Sequence, residues 1–159
     1  MITIVLFLGL AVQCVFGGCN VGWVENKGYC YSFSDHELNF FNAAAMCNVY
    51  GGNLIQVDSA EKQAWLDAQL AERKISEVLI GGSSLNHKGV FKWVPSEKQI
   101  DGGYTNWYPG DPNNHDTERC IYIYQGSKWI NVDCVGRLFK YVCEKRLQDV
   151  FQCSASRTD

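Results

Sequence analysis

The sequence lacks long runs of like charge and, beyond its first residues, any apolar run of membrane-spanning length. Its 14 Lys and Arg against 17 Asp and Glu give a net charge of −3, so no basic surface for nucleic acid is expected. A membrane span needs about 18 consecutive apolar residues, and none follows the first segment. We therefore expect no nucleic-acid partner and no membrane partner. An apolar fraction of 47% indicates a globular domain.

Histidine is scarce and occurs in no pattern that carries catalysis. His36, His87 and His115 form no His-Glu-x-x-His pair, and the sequence has no Gly-x-Ser-x-Gly nucleophile elbow. Scattered histidines of this kind are most simply surface residues. The sequence therefore predicts a binding or structural protein and not an enzyme.

The first 17 residues contain no charged side chain and are typical of a secretory signal. Residues 2–12 are apolar, and Val15 and Gly17 place small residues at the two positions that a signal peptidase recognises. We predict cleavage before Gly18 and a secreted, extracellular protein. An uncleaved membrane anchor is the alternative, which the short segment disfavours. The chain then divides into a signal peptide (1–17), one domain (18–146) and a polar C-terminal tail (147–159).

Cysteine is abundant, as expected in an oxidising compartment. Eight cysteines occur, and Cys14 falls within the predicted signal. In a secreted protein the other seven predict a disulfide framework, although spacing alone does not assign the partners. Because seven is odd, one thiol is free or pairs with another chain. The seven are Cys19, Cys30, Cys47, Cys120, Cys134, Cys143 and Cys153.

Short-range patterns predict a hairpin followed by a helix. Trp23–Val24 and Tyr29–Phe33 flank Glu25-Asn26-Lys27-Gly28, in which Asn and Gly favour a tight turn. Gly51-Gly52 then ends a predicted helix, because glycine tolerates the left-handed conformation found at helix ends. The apolar face of that helix consists of Phe40, Ala43, Ala44 and Cys47.

A second helix is predicted from a capping pattern. The run from Asp58 to Glu61 resembles a capping box, in which Asp58 accepts from the first turn and Glu61 reaches back. This helix should extend to about Arg73, burying Trp65, Leu66 and Leu70. Beyond it the chain alternates between strand-like runs and a long irregular stretch, which in compact domains is usually functional.

A polar loop, Gly110–Cys120, concentrates side-chain oxygens. Asp, Asn and Glu supply the carboxylate and amide oxygens that calcium prefers, typically about six to eight around one ion. A cis Asp111-Pro112 bond would turn Asp111 and Asn113 toward the same point. The sequence thus predicts a calcium-dependent binding loop. A solvated polar turn is the alternative, since these residue types are common in turns.

Several motifs, taken in order, resemble the C-type lectin-like domain over about Cys19 to Lys145. The narrower likeness is to short secreted single-domain lectins of the molluscan perlucin-like group. The resemblance implies an α+β fold with two helices, antiparallel sheets and a long calcium- and ligand-binding loop. The motifs are Leu79-Ile80-Gly81-Gly82, Gly89-Val90-Phe91-Lys92-Trp93, Tyr104-Thr105-Asn106-Trp107, Asp111-Pro112-Asn113-Asn114-His115, and Cys120, Trp129, Cys134 and Cys143.

The resemblance also implies the disulfide pairing. It pairs Cys47 with Cys143 and Cys120 with Cys134. A third pair, Cys19–Cys30, belongs to the longer form of the domain that carries an N-terminal hairpin. Cys153 is left over, either unpaired or joining two chains as a disulfide-linked homodimer.

One calcium site is implied, in which the same residues hold the ion and the sugar. Its residues are Asp111, Asn113, Glu118 and Asn131, where Asn131 takes the position of an aspartate and Ile130 that of an amide ligand. The loss of one donor and one charge should weaken calcium binding. An acid before an amide, as in Asp111 and Asn113, resembles the mannose-type order.

A second, auxiliary calcium site of many relatives is predicted to be absent. Its positions hold Ser84, Lys88, Asn114 and Arg119, and two cationic side chains at ligand positions would repel a divalent ion.

Three functions follow from these observations. The first is a secreted calcium-dependent lectin that binds glycans or glycoproteins. The second is a shell or extracellular matrix protein acting in biomineralization at calcium carbonate, although the chain lacks the long acidic runs common in mineral binders. The third is a calcium-independent interaction module. Trp65, Trp93, Trp107 and Trp129 are expected in the core, with Trp107 and Tyr108 the aromatic candidates for ligand contact.

Overall fold

The computed structural model describes the backbone of residues 3–7, 10–16, 18–113, 115–125, 127–147 and 151–157, and side chains from Gly18 to Leu147 within these ranges. The chain divides into two compact units. One comprises residues 1–32 with 145–159, and the other comprises residues 33–144. No helix among the described residues is both long enough and apolar enough to cross a bilayer.

The described residues form two helices and eleven strands. In the first half of the chain these are β1 (Thr3–Phe7), β2 (Leu10–Phe16), β3 (Val24–Asn26), β4 (Tyr29–Phe33), α1 (Phe40–Val49), β5 (Asn53–Leu54) and α2 (Ala60–Glu72). The second half contributes β6 (Val78–Ser83), β7 (Lys92–Trp93), β8 (Glu118–Tyr124), β9 (Lys128–Asp133), β10 (Lys140–Arg146) and β11 (Phe151–Arg157).

Three strands at the two ends of the chain form an antiparallel sheet in the smaller unit, in the order β1-β2-β11. The predicted signal peptide thus includes β1 and β2, and the predicted tail includes β11; cleavage stays a prediction. The side chain of Cys153 lies outside the described residues, so an unpaired or intermolecular role for this cysteine also stays a prediction.

The predicted N-terminal hairpin is confirmed. β3 and β4 pair antiparallel, with Asn26 opposite Tyr29. Lys27 and Gly28 between them have φ angles of 49° and 76°. Two positive φ values suit a two-residue turn whose twist matches the flanking strands, and glycine meets this demand without steric cost. The Cys19–Cys30 disulfide adjoins this hairpin, with 5.5 Å between the Cα atoms.

The first helix follows the predicted apolar spacing. Phe40, Ala43 and Cys47 are buried on one face of α1. Asn39 caps its start, since Oδ1 accepts a 3.0 Å hydrogen bond from the backbone N–H of Asn42. Gly51 follows the helix end with a φ of 73°, which confirms the predicted glycine stop.

The second helix begins one residue later than the capping pattern predicted. Ser59 is the N-cap of α2, because its backbone is extended and its Oγ accepts a 3.2 Å hydrogen bond from Lys62 N–H. The assignment of the cap to Asp58 was therefore wrong. Leu66 and Leu70 are buried as predicted. Trp65 is only partly buried and lies 6.3 Å from the Phe33 ring, measured between ring centroids.

A mixed sheet forms the centre of the larger unit, with β10, β6, β8 and β9 adjacent in that order. β6 pairs antiparallel with β8, and β8 pairs antiparallel with β9. β10 runs parallel to β6, a pairing that the expectation of antiparallel sheets did not include. β5 and β7 add short antiparallel pairings to β10 and β6.

Buried aromatic rings and two disulfides consolidate this unit. Trp93 and Trp129 are fully buried and pack edge to face at 5.6 Å, which confirms their predicted place in the core. Trp107 is partly exposed, although its ring lies 5.6 Å from that of Trp129. The Cys47–Cys143 and Cys120–Cys134 disulfides form as the resemblance implied. All six cysteines whose side chains are described are therefore paired.

Candidate functional site

The polar loop is anchored to β9 before it begins. The backbone N–H of Tyr108 donates to the carbonyl of Trp129 at 2.8 Å, and Asp111 N–H donates to the Tyr108 carbonyl at 2.9 Å. These bonds place a turn at residues 108–111, directly beside the strand that carries Asn131. The Asp111-Pro112 peptide bond is cis, the geometry that the sequence analysis considered.

The first two predicted ligands lie side by side. The Asn113 amide Nδ2 donates a 3.0 Å hydrogen bond to Asp111 Oδ1. Asn113 is exposed and Asp111 is half-buried, so both side chains reach the same patch of surface. The Pro-centred triplet therefore brings one carboxylate and one amide together, as a site for an oxygen-coordinated ion requires.

Asn131 bonds the polar loop at two points, Asn113 and Glu118. This residue of β9 is 2% exposed. Its Oδ1 accepts a 2.9 Å hydrogen bond from Asn113 N–H, and its Nδ2 donates to the Asn113 carbonyl and, at 2.8 Å, to the Glu118 carbonyl. The structure thus brings Asp111, Asn113 and Asn131 into one cluster, and the main chain of Glu118 joins it through the Asn131 amide.

The cluster concentrates negative charge. Partial burial raises the pKa of the Asp111 carboxyl above its ordinary value, and the nearby charge of Glu118 raises it further. The backbone N–H of Asn131 opposes this effect by hydrogen bonding to the carboxylate, but burial is the larger effect. A cation placed here would relieve the repulsion between the two carboxylates.

The donor chemistry fits calcium, with fewer protein donors than strong sites have. Asp111 and Glu118 supply carboxylates, and the amide oxygens of Asn113 and Asn131 complete an all-oxygen set. An amide oxygen has two lone pairs, so Asn131 Oδ1 can accept from Asn113 N–H and still face an ion. Over the part of the chain that the structure describes, no group of three His, Cys, Asp or Glu converges as a metal site. The donors therefore fit a weak calcium site that retains water.

The described residues at the auxiliary positions make contacts of other kinds. Ser84 N–H donates to the Arg119 carbonyl at 2.8 Å, and the Lys88 ammonium forms an ion pair with Asp116. That pairing lowers the pKa of the Asp116 carboxyl, with smaller contributions from the positive charge of Arg119 and from His115. Asn114, the fourth predicted position, lies outside the described residues. The absence of a second calcium stays a prediction.

Two aromatic residues lie just before the polar loop in sequence. Tyr108 is 44% exposed and packs edge to face with Tyr124, with 6.0 Å between ring centroids. Trp107, the other aromatic candidate, packs against the buried Phe91 ring at 5.2 Å. Tyr108 is thus the better placed of the two for ligand contact. Sequence reasoning missed Tyr124, although the alternation in Ile121-Tyr122-Ile123-Tyr124 indicates one tyrosine-bearing face of β8.

Two helices, a mixed sheet, three disulfides and a long polar loop that gathers oxygen donors define the C-type lectin fold. The family model described as the lectin C-type domain matches residues 36–145, and the chain belongs to this family.

Relatives and solved structures agree with this assignment. A perlucin-like protein of Mytilus galloprovincialis is 27% identical over 130 residues, covering 79% of this chain and 81% of that protein. The CD209 antigen of Papio hamadryas is 31% identical over 127 residues, covering 80% of this chain. The match spans only 35% of that antigen, so activities of the whole protein do not carry over.

Two solved structures illustrate the range of the fold. The carbohydrate-recognition domain of the mouse scavenger receptor C-type lectin superposes with a TM-score of 0.71 at 27% identity, covering 80% of this chain and 96% of that domain. A calcium-independent type II antifreeze protein superposes with a TM-score of 0.70 at 24% identity, covering 80% of this chain and 94% of that protein. The second likeness shows the fold alone.

Proposed function

We propose that this protein is a secreted lectin that binds glycans or glycoproteins through one calcium ion. The observation that carries the proposal is the contact between the Asp111 carboxylate and the Asn113 amide, with the charge of Glu118 close enough to raise the Asp111 pKa and the buried Asn131 amide bonded to the loop backbone. Bound calcium would supply a positive charge with open coordination positions for two sugar hydroxyls. The family supports carbohydrate binding, since the structures it includes contain carbohydrate-recognition domains.

The protein side chains then orient the sugar. The carboxylates of Asp111 and Glu118 accept hydrogen bonds from sugar hydroxyls, and the Asn113 amide donates to a hydroxyl oxygen. This arrangement of acceptors and donors requires two neighbouring sugar hydroxyls in a fixed relative orientation. The order of acid before amide in Asp111 and Asn113 favours mannose-type sugars. Asp111 is one methylene shorter than a glutamate, which should relax that preference.

Secretion and assembly belong to the same proposal. The uncharged first segment favours export, and the cysteine framework suits an oxidising compartment. A second chain joined through Cys153 would let two sites act together. Such pairing matters because linked weak sites can gain avidity well beyond that of a single site.

A calcium-independent binding module is the second candidate, and two observations favour it. Ile130 brings no oxygen to the site, and both atoms of the Asn131 amide already bond to the loop backbone. Under this alternative the polar loop would bind its ligand directly.

Calorimetric titration of calcium into the purified protein tests the proposal. Saturable one-site binding is expected, and Asn113→Ala should weaken it because one oxygen donor is removed. Asn86→Ala is the matched control, since Asn86 is also an exposed amide that donates to a carboxylate, at 3.4 Å to Glu97, in another loop. A glycan array with calcium and with chelator completes the test. Glycan binding that persists in chelator would favour the second candidate.

A further inference from the structure

The side chain of Asn131 bonds the polar loop at two separate points, Asn113 and Glu118. Its partners Asn113 and Glu118 are 18 and 13 residues away in sequence, and all three hydrogen bonds go to main-chain atoms. The amide is also buried, so water competes poorly for these bonds. From this geometry we infer that Asn131 is a positioning residue, whose amide holds the polar loop in its binding conformation before any ion binds.

The partners fix the orientation of the amide. A backbone N–H faces Oδ1, and two backbone carbonyls face Nδ2. The reverse orientation would oppose donor to donor and acceptor to acceptor. Only an amide satisfies this arrangement, because a carboxylate has no hydrogen to donate to either carbonyl.

An aspartate at this position would therefore change how the loop is held. Asn131→Asp keeps the shape and the acceptor for Asn113 N–H, but it loses both donated bonds. It also faces a negative charge toward two carbonyl oxygens in a buried place. The loop of the variant would need a cation for order, whereas the loop of the natural protein would not.

This inference concerns the same site as the proposed function, yet the first arm of its test needs no sugar and no calcium. Hydrogen exchange of backbone amides is measured by NMR on the purified protein in excess chelator. The N–H of Asn113, which donates a hydrogen bond to Asn131 Oδ1, should exchange at least about tenfold more slowly than the N–H of Thr117 in the same loop. Exchange of Asn113 as fast as that of Thr117 would overturn the inference without any variant.

Asn131→Asp supplies the second arm. In chelator, exchange at Asn113 should accelerate by at least about tenfold, and millimolar calcium should restore protection. Asn106→Asp is the matched control, because its Nδ2 also donates to a backbone carbonyl, that of Ser127 at 3.0 Å, but outside the polar loop. It should leave exchange at Asn113 unchanged. Equal protection in Asn131→Asp and the natural protein would overturn the inference that Asn131 positions the loop. Protected amides without glycan binding would overturn only the lectin proposal.

Discussion

The indole Nε1 of Trp129 donates a 2.8 Å hydrogen bond to Gln63 Oε1, which joins β9 to α2 inside the larger unit. Gln63 in turn donates through Nε2 to Asp67 Oδ1 at 2.6 Å and to the Ser127 carbonyl at 3.2 Å. Its acceptor and both of its donors are thereby used in a buried setting. The Gln63 amide, with all of these hydrogen bonds formed, thus connects α2 to β9, the strand that carries Asn131.

Gln63→Leu is expected to destabilise the protein by about 1–3 kcal/mol. The substitution keeps an apolar volume at a buried helix position, but it leaves the indole N–H of Trp129 without its acceptor. Urea unfolding followed by Trp fluorescence measures the change in the free energy of unfolding.

Gln69→Leu serves as the control on the same helix. Gln69 Oε1 accepts from Arg73, four residues along the same helix, at 2.8 Å. Such a pair is worth a few tenths of a kcal/mol, so the control should change stability little. Equal effects of the two substitutions would show that the Trp129 bond contributes nothing of its own.

A buried ion pair predicts an unusual pH dependence of stability. Lys62 Nζ lies 2.5 Å from Glu144 Oε2, and the other carboxylate oxygen accepts from Gln56 N–H at 2.9 Å. Burial nevertheless raises the pKa of Glu144, because desolvation outweighs the Lys62 charge and these hydrogen bonds. The folded chain therefore keeps a proton that the unfolded chain loses just above the ordinary glutamate pKa. The contribution of Glu144 to the free energy of unfolding should then decrease as pH rises from the ordinary glutamate pKa to the raised pKa of the folded protein.

Glu144→Gln removes this titrating group. The free energy of unfolding of the variant and of the natural protein is measured by urea denaturation at several pH values from about 4 to about 8. Its slope against pH should differ between the two proteins over the range in which Glu144 titrates. At neutral pH the variant should lose stability, because the largely buried Lys62 ammonium loses its ion-pair partner. Lys62→Met/Glu144→Gln should recover part of the loss. Parallel pH profiles for variant and natural protein would contradict the assigned direction of the Glu144 pKa.

Tyr108 is expected to contribute to glycan affinity. We propose that an apolar sugar face stacks against this ring, which is 44% exposed and belongs to the residue whose backbone carbonyl accepts from Asp111 N–H. Tyr108→Ala should weaken glycan binding by roughly fivefold, corresponding to about 1 kcal/mol of stacking and apolar contact, with calcium affinity unchanged. Calorimetry with a glycan found on the array measures both quantities.

Tyr50→Ala is the matched control for this prediction. Tyr50 is 46% exposed, against 44% for Tyr108, and it follows the end of α1, in a different part of the unit. The control should leave glycan affinity unchanged. If both variants weaken binding equally, the effect comes from general destabilisation and not from a ring at the site.

Local chemistry made part of this structure predictable from sequence. The burial of Phe40, Ala43 and Cys47 follows from helical spacing alone. The turn at Lys27 and Gly28 follows from the few residue pairs that adopt positive φ in tight hairpins. Donor chemistry and the family resemblance together singled out the residues of the polar loop. Each of these features depends on residues close together in the chain or on a recognisable set of motifs.

The remaining features depend on contacts between distant residues. The parallel pairing of β6 with β10 joins segments about 60 residues apart, and no local periodicity encodes such a pairing. The Gln63–Trp129 bond spans 66 residues, and Gln63 in sequence is simply a good helix former. Likewise, an asparagine in a strand indicates a ligand or a buried hydrogen bond equally well. Only the positions of Asn113 and Glu118 show that the Asn131 amide bonds the loop backbone.

Restoring an oxygen donor at Ile130 should strengthen calcium binding. Ile130 is a partly exposed residue of β9, immediately before Asn131, and it occupies a position where the resemblance implies an amide ligand. Ile130→Asn should lower the calcium dissociation constant by about tenfold, because a further oxygen replaces a water in a site that has few protein donors. Ile130→Ala, which removes the apolar side chain without adding a donor, should leave the constant unchanged. Calorimetric titration compares the three proteins, and identical affinities for Asn and Ala at this position would show that residue 130 does not face the ion.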